Sequence, residues 1–232
     1  MRLIDLATIS REHFFIFVDK CNKIYHSGDD LFLYRELIAL HRKYENLKKL
    51  LEKDSFCRKV YETLKAWDMN KRGAKLTSYD TFKKSLEYNK VCLVKLYEYK
   101  LHEINTNDIK TITDLLKQAF LNLRVMESKR KIVGVSKALH FLLPDLIMPI
   151  DNKYTMTAYY GYNKYSNNPE QEFNIFKEIF NKTIEISNRL QLTSTDVDGH
   201  QWNTSVPKLI DNAIIGLLNS GVEEIKALFK IN

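Results

Sequence analysis

The sequence predicts an all-α protein, a single multi-helical domain over residues 1–232. Three observations carry this. No proline precedes Pro144, and only 4 prolines and 7 glycines are present, so little interrupts the first half of the chain. Apolar residues recur at spacings of three and four, the period of a helix with one buried face. The best strand candidate, "VCLVKLYEY", fits a helix at least as well.

Taken in order, "REHFFIFVDKCNKIY" places Phe14, Phe17, Val18, Cys21 and Ile24 on one stripe, and Gly28 with Asp29 and Asp30 separates it from the next helix. "LFLYRELIALHRKYENLKKLLEKD" reads as one long helix or two, with Leu33, Leu37, Leu40, Tyr44, Leu47 and Leu51 inward. Ser55 is a candidate cap for "SFCRKVYETLKAW". "DMNKRGAKLTSYD" is the clearest break, with a loop at Gly73 and a cap at Thr77 or Ser78 for the following helix. "NTND" opens a helix whose inward residues include Ile112, Leu116, Ala119 and Phe120. Later, Phe173, Phe176, Ile179, Phe180 and Ile184 form a stripe. Pro207 falls in the first turn of the last clear helix, where its missing N–H costs nothing. A break near 103–110 allows a subdivision into an N-terminal helical layer, 1–105, and a helical core, 106–232.

The formal net charge is +7 and the pI about 9.1, a balance that suits a polyanionic partner. Cys21, Cys57 and Cys92 are odd in number and far apart, which indicates neither a disulfide framework nor a zinc site. The expected location is therefore reducing and cytoplasmic, with no metal or other cofactor. Asp5, Arg11 and Glu12 interrupt the apolar N-terminus, which argues against a signal peptide or membrane span. No P-loop, GxSxG or HExxH pattern occurs.

The most informative stretch is "SKALHFLLPDLIMPIDNKYT", Ser136 to Thr155. Gly134 permits a turn between helices, and Ser136 can cap "KALHFLL". Pro144 and Pro149 stop that helix and stiffen a connector. Asp151 then stands where the next helix needs an N-cap. Lys137 and His140, three residues apart, can share a helical face.

This order of helix, glycine turn, lysine-bearing helix, connector, "MPID" and helix resembles the core of the helix-hairpin-helix DNA glycosylase superfamily (HhH-GPD), over roughly residues 128 to 215. The "SK-LH-LLP-D" signature is also similar to that of prokaryotic helical proteins without an assigned function. The glycosylase resemblance implies a glycosylase-like core and DNA as partner. It implies that Asp151 is the catalytic aspartate and that Lys137 attacks C1′ to form a Schiff base. Arg130, Lys131, Gly134 and Ser136 would contact DNA phosphates, and His140, Tyr159 and Trp202 would line the pocket of a flipped base. The residues themselves leave other readings open. Asp151 can be a helix cap only, Lys137 a surface lysine, and His140 a half-buried side chain with one hydrogen bond. The basic runs around Lys129–Lys131 and around Lys65, Lys71, Arg72 and Lys75 can be solvated helix ends. A non-catalytic helical module, binding nucleic acid or protein, is the alternative.

Overall fold

Helix punctuation follows the short polar side chains. The structure, a computed structural model, describes residues 2–71 and 75–229. Arg72 and the loop expected at Gly73 lie outside them. The described residues form twelve α-helices: α1 (Leu3–Ala7), α2 (Arg11–Ile24), α3 (Asp29–Tyr44), α4 (Leu47–Leu51), α5 (Asp54–Ala66), α6 (Tyr79–Leu96), α7 (Asp108–Asn122), α8 (Ile132–Leu142), α9 (Thr157–Tyr160), α10 (Pro169–Arg189), α11 (Val206–Leu218) and α12 (Val222–Phe229). They contain no strand, only an isolated bridge between Leu76 and Met126. None of the helices is long and apolar enough to cross a membrane.

Ser10, Ser78, Asn168 and Ser205 each accept a backbone N–H bond at the start of α2, α6, α10 and α11. Pro169 and Pro207 sit in first turns. The first six residues of "VCLVKLYEY" are the end of α6, and Tyr97 is its C-cap. One local expectation is corrected. Ser55 is not a cap, because α5 begins at Asp54 with Lys53 as its N-cap. Of the two readings left open for the stretch around residue 45, two helices is the one found, since Glu45 turns left-handed (φ 45°) and Asn46 caps α4. The buried residues of α3 are Leu31, Tyr34, Leu37, Ile38 and His41; Leu37, Leu47 and Leu51 are buried as expected, whereas Leu33, Leu40 and Tyr44 are only half-buried.

One hydrophobic cluster runs from Ile4 to Leu217. At about 1.5–3 kcal/mol for each fully buried large apolar side chain, it is the main driving force for these contacts. Helices α6 and α7 pair as neighbours, α3 packs on α5, and α5 and α3 both reach α8. The N-terminal α2 instead lies along the C-terminal α11 in the most extensive helix contact. Gly216 allows that approach: a Cβ there would stand 1.9 Å from the Phe17 carbonyl oxygen.

Helix α8 is apolar on all sides and almost wholly buried, as a central helix must be. Its polar residues Ser136, Lys137 and His140 must therefore find partners inside the protein. The turn expected at Gly134 is absent. Gly134 is the third residue of α8 and makes room for Met126, whose sulfur would lie 2.5 Å from an added Cβ.

Candidate functional site

Ser136 explains how two polar residues distant in sequence come together. Its hydroxyl donates to the Val133 carbonyl at 2.9 Å and accepts from the Ile150 N–H at 3.1 Å. The connector after Pro144 is thereby tied to α8 beside Lys137. Asp151 follows directly and opens a π-helical turn, Asn152–Met156, a geometry often found at functional sites. Its Oδ1 accepts the N–H groups of Lys153 (2.7 Å) and Tyr154 (3.2 Å). The Oδ2 atom lies 3.8 Å from the Lys137 ammonium. Asp151 is thus a helix cap through one oxygen and a counterion through the other.

Lys137 reaches past Asp151 to the end of α5, where Nζ donates to the Trp67 carbonyl at 3.1 Å. A helix C-terminus favours a cation there, and Asp68 (φ 62°) turns the chain away. Burial dominates nevertheless: it holds the Lys137 amine below the ordinary lysine range, with the Asp151 charge opposing it. A lysine so placed supplies free amine at lower pH than an exposed one.

Both groups open into one pocket of about 420 Å³ between the ends of α2 and α5, the Val133 and Lys137 side of α8, the connector and α11. Trp67 and Trp202 form aromatic walls, their ring centroids 5.7 Å apart and their planes at 66°. At the rim, the hydroxyls of Tyr25 and Tyr154 meet at 2.6 Å. Three lysines and four aspartates line the pocket, so it is not an electropositive phosphate cradle. The Cys21 thiol, also in the lining, is pushed up to about 12 by burial, which removes it as a nucleophile near neutral pH.

The other expected site residues are placed elsewhere. His140 is fully buried behind Tyr34 and does not line the pocket. Its Nδ1 lies 2.7 Å from the Ile147 carbonyl and its Nε2 2.8 Å from the Tyr34 hydroxyl, which fixes one neutral tautomer. Burial lowers its pKa to about 3. Tyr159 is a core residue near Thr183, also outside the pocket. Trp202 does line it, anchored by Nε1 donating to the Tyr25 carbonyl at 2.6 Å.

The phosphate contacts expected at the start of α8 meet a protein carboxylate instead. Glu172, fully buried on α10, accepts the Lys131 N–H at 2.9 Å. The Lys131 ammonium turns inward to the Leu121 carbonyl at 2.8 Å. Ser136 is buried as the strut described above, and Gly134 is packed under Met126. Arg130 alone of these four is exposed, stacked 3.7 Å over Tyr165. In the second basic run, Lys65, Lys71 and Lys75 pair with Glu62, Asp68 and Glu127.

Sequence reasoning passed over Lys208 and Asp211, and read Trp67, beside the second basic run, as a core anchor more than a stacking platform. The first two had a signal: "VPKLIDNAIIGLL" carries a charged pair at i and i+3 in an otherwise apolar helix, and such charges are kept only when they are paired inside. Comparison of the chain with family models, with curated proteins and with solved structures finds no match.

Proposed function

We propose that this protein acts on DNA as a base-excision enzyme, admitting one extruded nucleotide to the pocket and cleaving its N-glycosidic bond. The observation that carries the reading is the approach of Lys137 Nζ to Asp151 Oδ2, 3.8 Å apart, within an aromatic-walled pocket. Its volume is in the range of ordinary small-ligand sites. The surplus of aspartates suits the positive charge that builds on a sugar as its base departs.

In this mechanism the free Lys137 amine bonds to C1′ while the base leaves with the electron pair of the glycosidic bond and takes up a proton. Asp151 accepts the proton that the attached nitrogen sheds. Loss of the ring oxygen from C1′, protonated as it goes, leaves an iminium on Lys137. The Ser136 hydroxyl acts as a positioning group, since it sets where Asp151 stands relative to the lysine. Arg130, exposed just ahead of α8, is assigned to the phosphate backbone.

The test is borohydride trapping on duplex DNA carrying an abasic site. A covalent adduct is expected with the native chain and none with Lys137→Ala. Asp151→Asn should bind the same DNA with unchanged salt dependence and form the adduct slowly. A native protein that forms no adduct would reject the reading.

One observation favours a second reading, a module that holds a planar ligand without cleaving it. The start of α8, where a DNA backbone could dock, is filled by the Glu172 carboxylate. Ligand binding without any adduct would select this alternative.

A further inference from the structure

The pocket contains a second ion pair that the chemistry at Lys137 and Asp151 leaves unused. Lys208 Nζ donates to Asp211 Oδ2 at 2.6 Å and to Asn212 Oδ1 at 2.6 Å. It also lies 5.0 Å from the Trp202 ring centroid, a cation–π contact. Its donors are therefore directed at three partners, and the ammonium is locked. Asp211 is held through Oδ2 only. Among the described residues nothing donates to its Oδ1, although the side chain is only 6% exposed and lines the pocket. That oxygen is not sealed in the core but open to the pocket, so its lone pairs are free to accept from a molecule bound there.

The surroundings define that molecule. The walls are indole rings, which favour a flat π-system. The lining has no cationic surplus, so the phosphates of a nucleotide stay outside. Oδ1 calls for an N–H. The locked Lys208 beside it makes a local dipole, negative at Oδ1 and positive at Nζ. A ring N–H flanked by a carbonyl carries the opposite dipole. A carbonyl oxygen projects further and bears more charge than the ring nitrogen that flanks an exocyclic amine.

We propose that Asp211, braced by Lys208, reads the seated base by accepting a hydrogen bond from a ring N–H flanked by a carbonyl. The preferred class is then guanine-like, hypoxanthine-like, uracil-like or thymine-like bases over adenine and cytosine. The inference rests on the reading of the pocket as a base site, but it concerns recognition and not cleavage.

The test uses intrinsic fluorescence, because both tryptophans of the chain line the pocket. The full chain is titrated with guanosine, thymidine, adenosine, cytidine, 1-methylguanosine and N3-methylthymidine. Guanosine and thymidine should quench emission, and methylation of the ring nitrogen should weaken binding about tenfold or more. Adenosine and cytidine should bind more weakly than guanosine and thymidine. Asp211→Ala, with its fold verified by circular dichroism, should erase the difference between methylated and unmethylated nucleosides. Equal binding of all six by the native chain would overturn the role of Asp211 and leave the pocket reading in place. Absence of quenching by any of them at millimolar concentration would overturn both.

Discussion

Replacing Lys137 with methionine should abolish the chemistry and leave the fold as stable or more so. The lysine side chain is 8% exposed, and its removal from water costs several kcal/mol. Its return comes from Asp151 at 3.8 Å and from the Trp67 carbonyl. Asp151 is 36% exposed, so water screens that attraction to about 1 kcal/mol. The hydrogen bond adds about 1 kcal/mol. The amine is held below its ordinary range because burial outweighs both gains. Methionine fills a similar volume without a charge, and Asp151 keeps its two backbone donors. The expected change is a gain of about 1 kcal/mol at neutral pH, or roughly 2–4 °C in Tm for a chain of this size. The sign with pH follows from the depressed amine. The native penalty is complete below its folded value and vanishes as pH rises to the ordinary lysine value of 10.5, so the advantage of methionine should shrink over that window. Thermal unfolding followed by circular dichroism across this range reads it directly. A Tm that falls by more than about 6 °C would make Lys137 a structural strut and refute the reasoning.

Three other perturbations have defined outcomes. Gly216→Ala forces a Cβ against the Phe17 carbonyl and should cost about 3 kcal/mol while parting α2 from α11, the pocket wall that carries Cys21 and Asp211; an unchanged denaturation midpoint would contradict the packing. Ser136→Ala leaves the buried Ile150 N–H without its partner, so a loss of about 1–3 kcal/mol and slower excision are expected, and undiminished excision would remove Ser136 as the positioning group. Burial depresses His140 to about 3 and His41 to about 4, so the unfolded chain binds more protons than the folded one between about 6.5 and those values; stability should be full above 6.5 and fall as the pH drops through this range, and an acid transition unaltered by His140→Gln in a refolding titration would count against it.

Much of this fold could be read from the chain because helices announce themselves locally. The stripe of Phe173, Phe176, Ile179, Phe180 and Ile184 needed only periodicity, and Ser78 and Pro207 needed only the chemistry of helix starts. Errors arose where a tertiary contact decided. Gly134 has no local mark separating a turn glycine from one that accommodates Met126. Lys131 follows Arg130 in a basic run, yet Glu172, 41 residues away, takes its N–H and its ammonium turns inside. His140 shares a helix with Lys137, but the stack with Tyr34 draws its ring into the core. The meeting of Lys137 with Asp151 was legible because the prolines and the capping aspartate fix a short connector. The meeting of α2 with α11 was not, because it joins the two ends of the sequence through helix faces that carry no pairing code.

The most direct measurement is the site of covalent attachment. The native chain would be incubated with abasic-site DNA and borohydride, digested, and its peptides sequenced by mass spectrometry. The account predicts the sugar remnant on the peptide bearing Lys137, with a yield that rises with pH as the buried amine loses its proton. Attachment at the N-terminal amine or at an exposed lysine such as Lys129, with Lys137 unmodified, would contradict it.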